Sequence, residues 1–390
     1  MNDLIFVSLE DWDEIWRRNQ FVCAAYARRF PDRQILFVSP ARNISYLLRS
    51  GNLKGLRQSA TEVVPELPQI TVTRPLKLMP NTLRAGRRFN EAMMRRHVAD
   101  AVRAHGLRDP ILWLNPHSAV HMAGQLGESA VVYDVTDDWI SLTQSPAVAK
   151  LTEEQDRALC ARADAVIVCS SHLYAIKKDL ARNLHLIPNG VDLDHYAHIA
   201  DRCGEIPEVA SRWKRPVIGY TGTIHPDRVD ISLVGALVKR MPEAAFVMVG
   251  PNHLSADQMK PLSALSNLFF TGPVPYKEIP QYMRAFDVCI TPHLVTPFTE
   301  SLNPIKLWEY LAAGLPIVST DVAGFRDFPG LVRIARTPEQ FDSEIRGALS
   351  ERPSLVEERR REAAKHSWNS RLDDIVSVLE QIGSGQNGAR

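Results

Sequence analysis

With 390 residues, 45% of them hydrophobic, the chain can bury two cores of ordinary size, so we expect two domains. A formal net charge of +1 and five cysteines without a C-x-x-C pair give no signal for nucleic-acid binding, a disulfide framework or a zinc site. No run approaches the roughly eighteen apolar residues of a membrane span, and residues 1–8 are typical of a strand and not of a signal peptide, which predicts a cytoplasmic protein.

Short apolar runs alternate with longer helical patterns along the first half of the chain. This alternation predicts an α/β domain with a parallel, doubly wound sheet. The predicted strands are residues 4–8, 35–39, 70–73, 111–115, 131–134, 165–169 and 184–187. Ligands of such sheets bind beyond the carboxyl ends of the strands, so the residues that follow each run are the first site candidates.

A loop rich in charge and tryptophan follows the first predicted strand. It contains Glu10, Trp12 and Asp13, with Trp16 shortly after them. Tryptophan beside polar groups suits sugar rings, which offer hydroxyls at the edge and apolar C–H faces. The alternative is a surface helix start in which the tryptophans only pack, and the sequence leaves both interpretations open.

The stretch 74–103 is strongly basic and is interleaved with leucine, methionine and phenylalanine. This pattern predicts a surface that lies on an anionic membrane, and an outer helix without a specific role is the alternative. Its cations are Arg74, Lys77, Arg84, Arg87, Arg88, Arg95, Arg96 and Arg103, against Glu91 and Asp100.

Polar residues follow two further predicted strands. His117 comes after the strand at 111–115, and its place at a carboxyl strand end makes it a candidate site residue, although a structural role is equally open. Asp134, Asp137 and Asp138 are expected to line the same edge, and a turn or capping role would explain one of them.

The chain divides most naturally near residue 188. Asp192 and Asp194 have D-x-D spacing, but no other carboxylates support a metal there, so we predict no metal site. The predicted parts are a first domain at 1–188, a linker at 189–215, a second domain at 216–366, a last helix at 367–382 and a disordered tail at 383–390.

The second half repeats the alternation and predicts a second parallel sheet. Its predicted strands are 217–221, 246–249, 268–271, 288–291, 317–319 and 332–335. The first of them runs into Gly222 and Thr223, ahead of a helix that is expected to start near Asp230. Glycine allows backbone to approach a pyrophosphate, and Arg228 can neutralise its charge.

Residues 299–320 predict a loop, a helix with a defined end and a strand. Asn303 as N-cap, Pro304 as first helical residue and Gly314 as stop predict a helix over 304–313. Lys306 lies in the first turn, where the helix dipole disfavours a cation by roughly 0.3–1 kcal/mol unless an anion is bound there. Amides at a helix start beside a lysine suit phosphate oxygens.

Glu309 lies about one turn beyond Lys306. Its carboxylate could accept two hydrogen bonds from the vicinal hydroxyls of a ribose. Together with Lys306 it predicts a site for a nucleoside diphosphate. A solvated amphipathic helix fits the local chemistry equally well.

The segment ESLNPIKLWEYLAAGLPIVS, residues 300–319, resembles the donor-binding segment of GT-B glycosyltransferases, in particular family 4-like enzymes of bacterial surface-polysaccharide assembly. Glu309 corresponds to the second of that family's two acids, which binds the ribose. At the family's spacing the first acid falls on Ser301, and Glu300 stands one residue too early. The family also has an arginine where this chain has Thr223.

The resemblance implies roles for the candidate residues. Lys306 and Arg228 would stabilise the departing diphosphate, and His117 would orient the sugar. Further contacts to the donor are implied for Gly222, Thr223, Val274, Glu300, Ser301, Leu302, Asn303, Pro304, Ile305 and Glu309. Contacts to the acceptor are implied for Glu10, Trp12, Asp13 and Asp137.

Two Rossmann-like domains facing a cleft, with a last helix that crosses back to the first domain, are the implied architecture. The implied reaction moves a sugar from a UDP- or GDP-type donor to a hydroxyl of a lipid-linked or polysaccharide acceptor, with retained configuration and without metal or other cofactor. The expected location is the cytoplasm, on the inner face of the plasma membrane through 74–103. A nucleotide-sugar epimerase of the same fold and a non-catalytic nucleotide-binding partner remain as alternatives.

Overall fold

The computed structural model describes residues 1–44, 61–81, 83–141 and 145–387, with side chains up to residue 384. The chain divides into two compact units. The first contains Met1–Pro188 and the chain from Arg371 onward, and the second contains Asn189–Ser370. In the described part of the chain, no helix combines the length and the apolar composition needed to cross a bilayer.

The first unit is built on a sheet of order β10-β9-β8-β7-β1-β2-β5-β4. Its pairs are parallel except β4 with β5, and β3 and β6 form a separate short pair. The strands are β1 (Leu4–Val7), β2 (Ile35–Val38), β3 (Arg42–Asn43), β4 (Glu62–Val64), β5 (Leu67–Thr73), β6 (Leu76–Lys77), β7 (Ile111–Leu114), β8 (Ala130–Val135), β9 (Ala165–Val168) and β10 (Leu184–Leu186).

The prediction of a wholly parallel first sheet is wrong at β4, which the sequence analysis also missed. Only Pro65 and Glu66 separate β4 from β5, and so short a connection can only join antiparallel strands. Elsewhere the apolar runs match the observed strands, because strands buried on both faces read as continuous hydrophobic segments. The helices of this part of the chain are α1 (Arg18–Arg29), α2 (Arg84–Ala104), α3 (Pro146–Arg162) and α4 (Ser171–Lys177).

The second unit contains a parallel sheet of order β13-β12-β11-β14-β15-β16. This is the doubly wound order, and it reverses between β11 and β14, where such sheets bind their ligands. The first sheet reverses in the same way between β1 and β7. The strands are β11 (Val217–Thr221), β12 (Ala245–Val249), β13 (Leu268–Gly272), β14 (Val288–Thr291), β15 (Ile317–Thr320) and β16 (Arg333–Ala335).

Helices cover both faces of the second sheet. Leu237 and Phe341 pack with Phe246 on one face, while Leu307, Leu311 and other residues pack on the opposite one. The helices are α5 (Leu193–Tyr196), α6 (Ile231–Arg240), α7 (Ala256–Met259), α8 (Ile279–Arg284), α9 (Pro297–Glu300), α10 (Ile305–Ala313), α11 (Pro338–Ala348) and α12 (Ser354–Ala364).

The last helix, α13 (Trp368–Asn387), continues past its predicted end at residue 382. The expectation of a disordered tail from residue 383 is therefore wrong as far as Asn387, and 388–390 lie outside the described residues. A glycine such as Gly383 costs a helix only about 1 kcal/mol, and the buried side chains of Ile375, Leu379 and Ile382 anchor the preceding turns.

Candidate functional site

Two glycines bring the ends of β11 and β12 into direct backbone contact. The amide of Gly222 donates to the carbonyl of Val249 at 2.7 Å. Gly222 and Gly250 have φ angles of +125° and +136°, and a Cβ on Gly250 would lie 2.3 Å from the Gly222 oxygen. Both φ angles favour glycine, and at Gly250 the backbone oxygen of Gly222 leaves no room for a Cβ, so the edge beside the strand-order reversal is bare backbone.

Lys306 lies directly against this glycine turn. A Cβ on Gly222 would lie 2.4 Å from Cε and 2.5 Å from Nζ of Lys306. The ammonium is also 5.4 Å from the centroid of the Tyr220 ring, within reach of a cation–π interaction. The structure thus brings together the glycine turn and the lysine that the sequence analysis had placed in separate motifs.

Lys306 and Arg228 both lie close enough to His293 to act on its charge. The guanidinium of Arg228 is 5.3 Å from the centroid of the Phe298 ring. His293 is 4% exposed, and its Nε2 lies 3.4 Å from the hydroxyl of Tyr220. Burial, followed by Lys306 and Arg228, holds the pKa of His293 well below its ordinary value, so two cations act on one neutral imidazole.

The sequence analysis missed His293, although a signal was present. His293 follows β14 in a Thr-Pro-His sequence, as His117 follows β7 in Asn-Pro-His. Only the His117 sequence was interpreted as a strand-end histidine.

The start of α10 differs by one residue from the prediction. Pro304 is the N-cap and Ile305 the first helical residue, and the proline has no side-chain oxygen that could cap the first amides. Asn303 as N-cap is therefore wrong. Its Oδ1 accepts instead from the amide of Asn189 at 2.9 Å and from Nε1 of Trp308 at 3.4 Å.

Glu309 lies one turn along α10, partly buried. Its Oε1 accepts a hydrogen bond of 2.8 Å from the hydroxyl of Tyr196. Burial raises the pKa of Glu309, and the Tyr196 hydrogen bond and Lys306 oppose that shift. The structure thus holds this carboxylate in a defined orientation on the same helix as Lys306.

The acid segment before α10 is organised differently from the predicted spacing. Ser301 is wholly buried, and its hydroxyl donates to the carbonyl of Phe298 at 2.7 Å. Glu300 accepts two hydrogen bonds of 2.7 Å from Arg326. Leu302, Pro304 and Ile305 are partly exposed beside it.

Two further donor candidates, Val274 and Thr223, follow the ends of β13 and β11. The side chain of Val274 is buried in the core, which leaves its main chain for the predicted contact to a base. The carbonyl of Thr223 accepts from the hydroxyl of Tyr220 at 3.2 Å. The donor roles of these residues stay predictions.

The reversal point of the first sheet is filled by side chains that bond to each other. Asn19 donates to Oγ of Ser8 at 2.8 Å and to Oδ1 of Asn115 at 2.9 Å. Arg18 and Asp134 form a buried ion pair at 3.0 Å, with both side chains at most 4% exposed. The expectation that Asp134 lines an accessible edge is therefore wrong, because the carboxylate is neutralised inside the unit.

Three acceptor candidates lie in the loop before α1, and Asp137 follows β8. Trp12 packs edge-on against Phe37, with ring centroids 5.0 Å apart. Glu10 and Asp13 lie 3.6 Å and 3.5 Å from the guanidinium of Arg17. Asp137 accepts from the hydroxyl of Thr136 at 3.1 Å. The packing of Trp12 matches the alternative interpretation, and the acceptor role of these residues stays a prediction.

His117 begins a 3₁₀ turn after β7 and is partly buried. Burial lowers its pKa, with Asp156 opposing the shift and Lys177 adding to it. Asp156 and Lys177 form a buried ion pair at 2.5 Å, to which Tyr133 adds a hydrogen bond of 2.8 Å. His117 therefore lies near a fixed charge pair in the first unit.

Part of the basic stretch lies on the surface. Arg74 is 12% exposed and pairs with Asp11 at 3.2 Å and Glu62 at 3.1 Å, so it does not belong to an external patch. On α2 and the residue before it, exposed cations alternate with exposed apolar side chains, which preserves the amphipathic character. These exposed residues are Leu83, Arg84, Arg88, Phe89, Arg96 and Arg103.

In the described ranges, no three His, Cys, Asp or Glu side chains cluster as a metal site would require. None of the five cysteines forms a disulfide, and Cys203 alone among them is exposed.

Comparison with known sequences gives a family match for part of the second unit. Residues 215–351 match the family model of Glycosyl transferases group 1. The chain is similar to the provisionally named teichuronic acid biosynthesis glycosyltransferase TuaH of Bacillus subtilis, with 29% identity over 203 residues, 49% of this chain and 50% of that protein. It is also similar to the D-inositol 3-phosphate glycosyltransferase of Geodermatophilus obscurus, with 24% identity over 298 residues, 67% of this chain and 65% of that protein.

A third relative is the GDP-mannose-dependent alpha-mannosyltransferase of Mycobacterium tuberculosis, 24% identical over 282 residues, 68% of this chain and 70% of that protein. The matched region spans about half the length of TuaH. The matches confirm the predicted resemblance to glycosyltransferases.

Solved structures agree with the fold. Sucrose-phosphate synthase from Thermosynechococcus elongatus superimposes with a TM-score of 0.73 at 16% identity, covering 99% of this chain and 100% of that one. Anabaena Alr3699/HepE in complex with UDP and glucose gives a TM-score of 0.66 at 16% identity, covering 97% of this chain and 100% of that one. The predicted GT-B fold, with two Rossmann-like units, is confirmed.

Proposed function

We propose that this chain transfers a sugar from a nucleoside diphosphate sugar to a hydroxyl group. The observation that carries the proposal is the placement of the Lys306 ammonium against Gly222, at the strand-order reversal of the second sheet and in the first turn of α10. Backbone without side chains meets a cation there, and that cation lies in the first turn of a helix. These are the groups that bind a pyrophosphate.

The chemistry follows from where charge develops. As the bond between the sugar and the diphosphate breaks, negative charge accumulates on the leaving phosphate oxygens. Lys306, Arg228 and the first amides of α10 are held in place before the reaction, so they stabilise that charge without reorganising. His293 stays neutral between the two cations and adds no competing charge.

The nucleoside is assigned to the neighbouring groups. Glu309 would accept hydrogen bonds from the ribose hydroxyls, and the backbone at Val274 would contact the base. UDP and GDP are both supported by the comparisons, since the HepE structure contains UDP and the mycobacterial relative is named as GDP-mannose-dependent. Thermal shifts with each diphosphate distinguish the two, because a ligand at a hundred times its Kd stabilises by about 2.7 kcal/mol.

The acceptor is proposed to be a lipid-linked or polysaccharide intermediate at the inner face of the plasma membrane. The teichuronic acid assignment of TuaH and the basic, apolar face of α2 support this choice. Retained configuration, independence from metal ions and a sugar-orienting role for His117 belong to the same proposal. The acceptor itself would lie against Glu10, Trp12, Asp13 and Asp137.

The proposal is tested by incubating the protein with labelled UDP- and GDP-sugars and a lipid extract of bacterial membranes, with and without EDTA. Label is expected to move into the lipid or polysaccharide fraction in both conditions. Conversion of the donor without any acceptor would indicate the epimerase instead. Binding of the donor without transfer to any fraction would indicate a non-catalytic partner, which the threonine at position 223 would then help to explain.

A further inference from the structure

Glu300, which the resemblance assigns to the donor, is held by an arginine that the sequence analysis did not consider. Glu300 ends α9, and Arg326 lies in the 3₁₀ turn after β15. Nη1 and Nη2 of Arg326 donate to the two carboxylate oxygens of Glu300, each at 2.7 Å. Such a bidentate interaction fixes the plane of the carboxylate as well as its position.

Glu300 provides the carboxylate in this segment, because the residue at the family's acid position is Ser301. Ser301 occupies the position that the family spacing gives to the acid, but it is wholly buried and its hydroxyl is bonded to the carbonyl of Phe298. Its neighbour Glu300 remains 27% exposed at the side chain. A carboxylate one residue early starts from a different backbone position, and the two hydrogen bonds from Arg326 set its direction.

Arg326 is itself held from the other side. Its Nε donates to Oδ1 of Asp321 at 2.9 Å, and Arg336 donates twice to Oδ2 of Asp321, at 2.9 Å and 2.6 Å. Hydrogen bonds from Arg336 and Arg326 lower the pKa of Asp321, and the bonds to Glu300 raise the pKa of Arg326. Four charges of alternating sign thus link the ends of α9, β15 and β16.

The turn that carries Arg326 also borders the proposed phosphate site. Gly324 has a φ of +84°, and a Cβ there would lie 3.0 Å from Cδ of Pro304, so this turn packs against the start of α10. His293, Asp321, Arg326 and Arg336 line an open cavity of about 1050 Å³ within the second unit. The cavity thus shares His293 with the phosphate site and reaches the guanidinium that holds Glu300.

We propose that Arg326 is a positioning residue for the donor sugar: it directs the carboxylate of Glu300 so that this acid accepts hydrogen bonds from sugar hydroxyls. The inference rests on the proposed function and deepens it. Exposed ion pairs contribute little to stability, and Arg326 is 37% exposed, so its effect is expected in sugar recognition and not in the fold.

The test separates the sugar from the nucleotide. Isothermal titration measures binding of UDP, GDP, UDP-glucose and GDP-mannose to the wild type, Arg326→Gln, Arg326→Lys and Glu300→Gln. Arg326→Gln is expected to bind the free diphosphate as the wild type does and the sugar nucleotide at least tenfold more weakly, with partial recovery in Arg326→Lys. The double variant with Glu300→Gln should lose no more than either single variant, because the two side chains act as one unit.

Arg346→Gln is the matched control. Arg346 also bridges two acids of the second unit, Asp342 at 2.7 Å and Glu243 at 3.0 Å, away from the cavity. It should bind all four probes as the wild type does. Unchanged sugar-nucleotide binding in Arg326→Gln, or an equal loss of diphosphate and sugar nucleotide, would overturn the positioning role alone. A wild type that binds none of the four probes would overturn the proposed function as well.

Discussion

The two sheets reverse their strand order at equivalent places but carry opposite chemistry there. Between β1 and β7, Ser8, Asn19 and Asn115 bond to one another, and the ion pair of Arg18 with Asp134 is buried beside them. Beside the reversal between β11 and β14, the end of β11 is glycine backbone, with Lys306 against it. Topology therefore provides two candidate places, and the state of the polar side chains decides which of them can bind an anion.

Even the strand-end histidines follow this division. Each follows a buried strand and a proline, but His117 lies near the paired charges of Asp156 and Lys177, whereas His293 lies near two cations. At His117 the charges of Asp156 and Lys177 have opposite signs and act against each other on its pKa. At His293 the two positive charges both lower its pKa.

The largest expected effect comes from breaking the buried ion pair of Arg18 with Asp134 in the first unit. Asp134→Ala leaves Arg18 buried without its carboxylate, which should cost about 3–5 kcal/mol in the free energy of unfolding. Urea denaturation measures the loss. Nucleotide binding by the folded protein should stay unchanged, because the site lies in the other unit.

Glu153→Ala is the control for Asp134→Ala. It removes an exposed pair with Arg157 at 3.0 Å in the same unit and should cost less than about 0.5 kcal/mol. Asp134→Asn keeps the size of the side chain and serves if the alanine variant does not fold. Equal stability of the Asp134 and Glu153 variants would contradict the buried pair.

The surface of the first unit is the next place to test. Changing Arg84, Arg88 and Arg96 to glutamate should weaken binding to phosphatidylserine vesicles roughly hundredfold, since each basic residue near the membrane contributes about 1 kcal/mol. Vesicle sedimentation at two salt concentrations measures this loss of binding. The same number of reversals at Arg157, Arg162 and Lys178, also exposed in the first unit, should have a smaller effect. Equal effects of the two sets would remove the claim for α2.

A methyl group added at Gly222 tests the role of the bare backbone edge in the second unit. Gly222→Ala places a methyl group where Cε and Nζ of Lys306 now lie, so the ammonium must move, and diphosphate affinity should fall at least tenfold, about 1.4 kcal/mol. The positive φ adds a strain of about 1–3 kcal/mol. Gly330→Ala shares the strain, with φ at +89°, but meets no atom within 4 Å. It should lose stability and keep affinity, and a similar loss of affinity in both variants would count against the role of Lys306.

The smallest effect on stability is expected at Glu309. Glu309→Gln should weaken diphosphate binding about tenfold while leaving the Tm at pH 7 equal or higher, because glutamine still accepts from Tyr196 and burial disfavours the charge. Burial raises the folded-state pKa, so this group stabilises the fold when protonated, below its ordinary pKa of 4.5, and that contribution is lost as pH rises through the raised value. The Tm difference should therefore shrink toward pH 4. A Tm several degrees lower at pH 7 would show that the ionised form supports the fold.

Local features of the molecule were predictable from sequence, and partnerships between distant residues were not. Apolar runs predicted nearly every long strand, and Pro304 with Gly314 predicted α10 to within one residue. Nothing in a periodic pattern shows that Arg18 meets Asp134 or that Arg326 meets Glu300, because these pairs form only when elements distant in sequence come together. Asn303 was misassigned for the same reason: Asn189, distant in sequence, binds the oxygen that would have capped the helix.

The central claim is that Lys306 and the glycine turn bind a diphosphate, and calorimetric titration of UDP and GDP into the wild type and Lys306→Ala tests it most directly. Lys239→Ala, an exposed lysine of the same unit, is the control. We expect the wild type and the control to bind one of the two diphosphates alike, and Lys306→Ala to bind it at least fiftyfold more weakly with the Tm unchanged. Equal affinity in Lys306→Ala and the wild type would contradict the account.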